Sequence, residues 1–396
     1  MLTLERIFGG LLTNIFITLL AVSMLSGCKG SRREDSRGED SKPGPVALDS
    51  ALTTKERLGK LLFFEKSLST PPGQACSNCH EPEVAFSDPD RGLPVSKGAR
   101  PDRYGNRNDM PVAYAAFVPP LHRDPDENIW VGGLFWDGRA DSLAEQALGP
   151  PLNPLEMANP GTATIAERLR ALDYAGLFAE VYGPDALANP TTAFTNMANA
   201  IEAFQKTPEV SPFSSKYDHW LRGETNLSEQ ELRGLKIFEA EDKGNCAACH
   251  PGKPTEDGTP PLFTDYTYDN LGVPRNPENP FYLLPAELNP DGFAFVDLGL
   301  GATINDPSEN GKFRVPTLRN VEITAPYMHN GVFKTLFQVV AFYNTRDVAD
   351  WPAPEVSENV NKEELGDLGL TNQELEDLVA FLRTLTDGWD PAVSNE

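Results

Sequence analysis

The sequence predicts a mainly α-helical protein in which two similar domains are joined by long irregular loops. The motif Cys-x-x-Cys-His occurs twice, at Cys76–His80 and at Cys246–His250. A stretch with helical spacing of its apolar residues precedes each motif, at Thr53 to Phe64 and at Leu232 to Phe238. Because the order of elements and the motif agree, we interpret the two halves as an internal duplication of a small helical domain.

Each Cys-x-x-Cys-His motif has the residue types that attach c-type haem. Two thiols on one turn form thioethers to the porphyrin, and the histidine that follows becomes the proximal iron ligand. The main alternative is a four-cysteine zinc site, but such sites draw their cysteine pairs from nearby sequence and would leave both histidines unexplained. The sequence therefore predicts two covalently bound c-type haems, held by Cys76, Cys79 and His80 and by Cys246, Cys249 and His250.

The amino terminus has the pattern of an export signal. Ile7 to Leu25 is mostly apolar, follows Arg6, and ends at Leu25-Ser26-Gly27-Cys28 before a charged stretch. These last four residues resemble a bacterial lipoprotein processing site. We therefore expect residues 1–27 to be a lipoprotein signal peptide and the protein to be periplasmic, anchored to the membrane through a lipid on Cys28. The alternatives are an uncleaved anchor and an ordinary signal peptide with an incidental cysteine.

Composition limits the partners and the cross-links of the chain. Its 396 residues suffice for two domains, and its formal net charge of −24 argues against nucleic acid, which requires a basic face. Two haem motifs use four of the five cysteines, so Cys28 has no cysteine left for a disulfide. Residues 28–46, rich in Ser, Gly, Pro and mixed charge, are predicted to form a flexible linker.

Ser or Thr followed three residues later by Glu or Gln predicts several helix starts. Further helices are expected at Thr192 to Gln205 and, with a buried apolar stripe, at the carboxyl terminus. The stretch from His250 to about Lys312 is irregular and is typical of functional loops. The predicted capping boxes begin at Ser142, Thr164, Ser228, Thr335 and Thr371.

Several further motifs resemble those of the bacterial di-haem cytochrome c peroxidases and their relative MauG. They occur in the family's order, and the match spans about residues 50 to 390. The resemblance implies two c-type cytochrome-like haem domains, an N-terminal peroxidatic one at 47–215 and a C-terminal electron-transfer one at 216–396. The motifs are Phe135–Ala140, Glu145–Pro150, Asn153–Met157, Val315–Asn320 and Ala325–Gly331.

The resemblance also implies how the first haem would work. The family's distal carboxylate lies in an Asn-Pro-x-Glu-Met motif, which makes Glu156 the acid/base and Gln146 its neighbour. A Glu buried over haem should have a raised pKa, which suits proton transfer near neutral pH. In some members, a histidine in the loop after the haem motif closes the distal face of the first haem. The corresponding loop here, Glu81 to Asn108, contains no histidine. We expect an open first haem, with His122 as the nearest substitute ligand.

For the second haem, the resemblance implies a further ligand from the helix after His329. Tyr343 stands where MauG has a tyrosine and other members have a methionine. Its alternatives are Met328 as the ligand and Tyr343 as a plain core residue. Trp136 corresponds to an electron relay between the two haems.

A calcium ion is a further cofactor that the resemblance implies. Asn108 matches the position of a calcium ligand, with the carbonyls of Thr324 and Pro326 opposite. The segment Asn108-Asp109-Met110-Pro111 departs from the family's usual spacing of Asn and Pro.

Three functions follow from these expectations. The first is a peroxidase that reduces hydrogen peroxide at the open N-terminal haem, with electrons relayed through the C-terminal haem from a cytochrome c or similar donor. The second is a MauG-like oxidase that uses a high-valent di-haem state to oxidise a protein or small-molecule partner. The third is a non-catalytic electron carrier, which the open face and Glu156 disfavour. The assembly state is open, with a homodimer among the alternatives.

Overall fold

A computed structural model describes residues 52–392, so the expectations for residues 1–46 lie outside the described residues. The fold is mainly helical, as predicted, and no helix in the described range is long and apolar enough to cross a membrane. Its α-helices are α1 (Thr54–Phe63), α2 (Leu143–Leu152), α3 (Thr162–Arg170), α4 (Gly176–Tyr182), α5 (Pro190–Gln205), α6 (Lys216–Leu221), α7 (Glu229–Glu239), α8 (Leu300–Ile304), α9 (Leu336–Thr345) and α10 (Asn372–Arg383).

Four short strands form two antiparallel pairs within residues 52–392. Strand β1 (His122–Arg123) pairs with β2 (Trp130–Val131), with His122 opposite Val131. Strand β3 (Tyr268–Asp269) pairs with β4 (Phe313–Arg314), with Tyr268 opposite Arg314. The strands therefore brace loops and do not form a layer of the core.

Helices α1 and α5 form the centre of the first core, with α2, α3 and α4 around them. A capping box between Thr53 and Glu56 starts α1, which buries Leu58 and Leu62. Gly59 allows α1 to approach α5, because a Cβ at this position would collide with the carbonyl oxygen of Ala200. The glycine is therefore required by packing and not by a turn.

Helices α7 and α10 repeat this arrangement in the second core, and α9 packs against α10. Capping boxes at Ser228 and Thr371 start α7 and α10, as the sequence predicts. A Cβ at Gly234 would collide with the carbonyl oxygen of Asp377 on α10. Gly59 and Gly234 therefore serve the same purpose in the two cores.

A cluster of three phenylalanine rings fills the centre of each core. The rings lie 5.0–6.3 Å apart in mostly edge-to-face contacts, an arrangement that stabilises aromatic clusters beyond the area they bury. The first cluster consists of Phe63, Phe86 and Phe204, and the second of Phe238, Phe263 and Phe381.

A buried ion pair between α6 and the loop after β4 lies where segments of the two halves of the chain meet. The Arg319 guanidinium donates two hydrogen bonds to Asp218, at 2.9 and 2.8 Å, and lies over the rings of Tyr114 and Phe213. The Tyr114 hydroxyl in turn donates to Asp387 at 2.7 Å. This network links residues that are distant in sequence. The domain boundary at 215/216 stays a prediction.

Two details of the predicted capping differ from the structure. Helix α3 begins at Thr162 with Gly161 as its N-cap, so the capping box predicted at Thr164 is wrong. The helix starts directly after Pro160-Gly161, and Thr164 therefore lies inside its first turn. At α2, Ser142 accepts from the Glu145 N–H as predicted, but the Glu145 carboxylate accepts from Asp141.

Candidate functional site

Two cavities of about 1330 and 1790 Å³, solvent at their mouths included, lie beside the two Cys-x-x-Cys-His motifs. Cys76, Cys79 and His80 line the smaller one, here called the first cavity. The second motif lines the larger, second cavity with Cys246, Cys249 and His250. Because the cysteine pairs face different cavities, they cannot share one zinc ion.

Helix α2 and the turn after it supply the wall of the first cavity where Glu156 lies. Gln146 on α2 and Glu156 both line this cavity. Asn153 caps the end of α2 and shapes the turn, because its Oδ1 accepts from Leu155 N. Its Nδ2 donates to Glu156 Oε1 at 2.6 Å. Burial raises the pKa of Glu156, against the opposing effect of that hydrogen bond.

His80 lies in the same cavity, and two oxygen atoms lie close to its Nδ1. The carbonyl oxygen of Phe86 is 3.1 Å away and Oδ2 of Asp109 is 2.9 Å away. Burial disfavours the charged ring, but the Asp109 carboxylate outweighs it and raises the pKa of His80. With Nδ1 held in this way, Nε2 is the nitrogen left for a metal.

His250 has one acceptor, the carbonyl oxygen of Phe263, at 2.7 Å from Nδ1. Burial lowers the pKa of His250 to about 4. The imidazole is therefore neutral, which is the form that binds a metal ion.

Both predicted alternatives for the second iron ligand face the second cavity. Leu336, Val339, Val340 and Tyr343 on α9 all line it, as their helical spacing predicts. Met328 lines it too, with its backbone in the left-handed region at a φ of 71°. Burial raises the pKa of Tyr343, so its phenol stays protonated unless a cation faces it. The choice between Tyr343 and Met328 stays a prediction.

One wall separates the two cavities, and its residues line both. Asn108–Pro111, Trp136 and Arg314 belong to this wall. The Trp136 indole N–H donates to the Asn108 carbonyl oxygen at 2.9 Å. Arg314 is buried and makes no ion pair within residues 52–392; its guanidinium meets only the Phe135 carbonyl oxygen and the Met110 sulfur. A buried cation without a carboxylate is costly.

These features fit haem. Among the described residues none of the four motif cysteines forms a disulfide, so all four are available for thioether bonds to haem. The second cavity is mostly apolar, as a porphyrin requires, and the buried Arg314 guanidinium would balance a propionate.

The three residues predicted for calcium, Asn108, Thr324 and Pro326, all belong to the lining of the second cavity. Asn108 Nδ2 donates to the Pro94 carbonyl oxygen, which leaves Oδ1 available. No group of three or more His, Cys, Asp or Glu side chains within 52–392 could hold a metal ion. His122 is exposed on β1 and lines neither cavity.

Three residues at the site escaped sequence analysis. Phe86 and Phe263 supply the carbonyls that fix the two histidines, but they follow His80 and His250 at different spacings, so the duplication gives no alignable signal. The sequence did offer an indication for Asp109. It lies in the segment Asn108–Pro111, whose spacing of Asn and Pro differs from that usual in the family.

The family follows from comparison with known proteins. A sequence model for di-haem cytochrome c peroxidase matches residues 53–226. Methylamine utilization protein MauG of Paracoccus denitrificans (strain Pd 1222) is 41% identical over 349 residues, which cover 83% of this chain and 88% of that protein. Cytochrome-c peroxidase IdrP1 of Denitromonas iodatirespirans is 32% identical over 360 residues, which cover 87% and 85%. The diheme peroxidase BthA from Burkholderia thailandensis E264 superposes with a TM-score of 0.74 at 35% identity, over 85% of this chain and 86% of that one. The chain therefore belongs to the family of di-haem cytochrome c peroxidases and MauG, oxidoreductases with two c-type haems.

Proposed function

We propose that the chain reduces hydrogen peroxide at a haem held by Cys76, Cys79 and His80. Electrons would come from a cytochrome c or similar donor through the second haem. The observation that carries this proposal is the composition of the first cavity. Glu156 and Gln146 face it, and among residues 52–392 His80 is the only histidine that lines it. If His80 held the iron, no second histidine of this cavity would compete with peroxide for it.

The side chains of the first cavity supply the proton transfers. The haems, when bound, supply the redox chemistry. Glu156, with its raised pKa, would take a proton from one peroxide oxygen and return it to the other, and two electrons from the donor with two further protons complete the reduction of peroxide to two molecules of water. Asn153 fixes the carboxylate through its hydrogen bond. The Gln146 amide can donate a hydrogen bond to the bound peroxide. Trp136, in the wall between the cavities, is suited to relay electrons.

Substitution of Glu156 tests the proposal. We expect Glu156→Gln to lower the rate of peroxide turnover by about 10²–10⁴-fold, the usual contribution of a general acid-base group. The matched control is Glu180→Gln, an exposed carboxylate on α4 that lines neither cavity. Undiminished turnover in Glu156→Gln would reject the role of this carboxylate.

A MauG-like oxidase is the second candidate, favoured by Tyr343 at the second cavity. In this case the oxidising equivalents would pass to a protein or small-molecule partner. Peroxide should be added to the diferric protein, and the reductant that returns it to the resting state should be identified. Discharge by a reduced cytochrome supports the peroxidase. Discharge only by an oxidisable partner supports the oxidase.

We further propose export to the periplasm and a lipid anchor on Cys28, supported by the Leu25–Cys28 motif. The mature protein should partition into detergent, whereas a Cys28→Ser variant should not. Calcium at Asn108, Thr324 and Pro326 is a proposal that chelation tests, because removal should alter the second-haem spectrum. Sedimentation would test a homodimer.

A further inference from the structure

The two histidines of the haem motifs differ in what holds their Nδ1 atoms. His250 has the Phe263 carbonyl oxygen alone, at 2.7 Å. His80 has the equivalent carbonyl of Phe86 at 3.1 Å and, in addition, Oδ2 of Asp109 at 2.9 Å. The duplication therefore reproduced the carbonyl in both halves, but only the first half has a carboxylate at this position.

The second cavity does have carboxylates, but none of them reaches its histidine. Asp269 lines that cavity and accepts a hydrogen bond from Asn361. Asp265 accepts from Thr267. Within residues 52–392, His250 forms no ion pair with either. The difference between the two histidines therefore includes a direct carboxylate contact that His80 makes and His250 does not.

The position of Asp109 is fixed by its neighbours and by its own burial. Oδ2 of Asp109 is buried and has no hydrogen-bond partner of good geometry within the described residues, and the Nδ1 atom of His80 lies 2.9 Å from it. A buried carboxylate is costly unless a donor satisfies it, so the contact with His80 is favoured. The preceding residue is held at both backbone groups: Asn108 N donates to the His329 carbonyl oxygen at 2.7 Å, and Asn108 O accepts from Trp136.

We propose that Asp109 is a positioning residue for the first haem: its carboxylate accepts the Nδ1 proton of His80 and makes this histidine a stronger electron donor to iron than His250. This inference rests on the proposed role of His80 as an iron ligand. Carboxylates that accept from the second nitrogen of a metal-bound histidine fix the ring and raise its basicity. A more basic ligand stabilises the oxidised iron and lowers its reduction potential. It also pushes electron density towards bound peroxide, which favours cleavage of the O–O bond.

The test is the reduction potential of each haem in the holoprotein, measured by spectroelectrochemical titration without peroxide. Asp109→Asn keeps the shape of the side chain and removes its charge. We expect the reduction equilibrium of the first haem to shift at least tenfold towards the ferrous state, which is about 59 mV for one electron. The second haem should shift much less. The Fe–His stretching band of the first haem should move to lower frequency.

Two further variants separate a hydrogen bond from a general effect of charge. Asp88→Asn is the matched control, because the Asp88 carboxylate acts on His80 only through space. It should move the first-haem potential less than Asp109→Asn does. Asp109→Glu keeps the negative charge, and its first-haem reduction potential should be closer to that of the parent protein. If Asp109→Asn fails to retain the first haem, Asp109→Ser takes its place with the same expected shift.

The inference is overturned if the first-haem potential in Asp109→Asn is unchanged, or shifts no more than in Asp88→Asn, or if both haems shift equally. These outcomes are distinct from failure of the proposed peroxidase function. The potential is measured without substrate, so a shifted potential in a protein that does not turn over peroxide would reject only the peroxidase.

Discussion

Replacing Arg319 by methionine should strongly destabilise the fold. The Arg319 and Asp218 side chains are 0% and 1% exposed, and two hydrogen bonds join them. The guanidinium Nε also donates to the Pro261 carbonyl oxygen at 2.7 Å. Methionine would fill much of the volume but leave Asp218 as a buried charge with only the Ser215 donors.

The expected loss is about 3–5 kcal/mol in the free energy of unfolding, the usual cost of removing one partner of a buried pair. Arg233→Met is the matched control, because Arg233 also makes two hydrogen bonds to a carboxylate, Asp377, but its side chain is 51% exposed. That variant should lose at most about 1 kcal/mol, because Arg233 is half exposed and Gln373 still donates a hydrogen bond to Asp377.

Urea denaturation of the three holoproteins, followed by circular dichroism, measures the difference. Burial raises the pKa of Asp218, but Arg319 outweighs this and holds it below its ordinary value. A carboxyl group whose pKa is lower in the folded protein than in the unfolded one stabilises the fold. This stability is present above the pKa of the unfolded state, about 4, and is lost as the pH falls through the pKa of the folded state. The difference in the free energy of unfolding between the parent protein and Arg319→Met should therefore become smaller at acid pH. A loss below about 1 kcal/mol at pH 7, or no larger than that of Arg233→Met, would refute this reasoning.

Gly59→Ala and Gly234→Ala should each lower the free energy of unfolding by about 1–3 kcal/mol, because the new Cβ meets a backbone carbonyl; urea midpoints equal to the parent's would contradict this. Tyr343→Phe should change the absorption spectrum of the second haem, and an unchanged spectrum would reject Tyr343 as its ligand. Peroxide turnover should fall as pH drops through the raised pKa of Glu156, because only the carboxylate accepts a proton. When peroxide turnover is measured over the same pH range, the Glu156→Gln variant should not show this fall.

Local chemistry explains what the sequence could predict. The capping boxes at Ser228 and Thr371 depend on residues three positions apart, and both occur in the structure. Thr164 satisfied the same pattern, but a helix start also depends on the backbone before it, and Pro160-Gly161 set the start at Thr162.

Contacts between distant segments could not be predicted in this way. The contact of Asp109 with His80 depends on the path of the intervening loop, which contains one short 3₁₀ turn, Pro82–Val84, and no α-helix or β-strand to fix its geometry. Similarly, the sequence places Gly59 and Gly234 at similar positions before the two haem motifs, but only the packed helices show which backbone each glycine approaches. Periodicity specifies a face of a helix and not its neighbour.

The wall between the cavities makes the two halves of the duplication dependent on each other. Asn108–Pro111 and Trp136, from the first half, line the cavity of the second motif, while Arg314, from the second half, lines the cavity of the first. Neither half has a complete cavity of its own. Exchange of one half between relatives would therefore disrupt both centres, and the duplicated halves have to evolve as one unit.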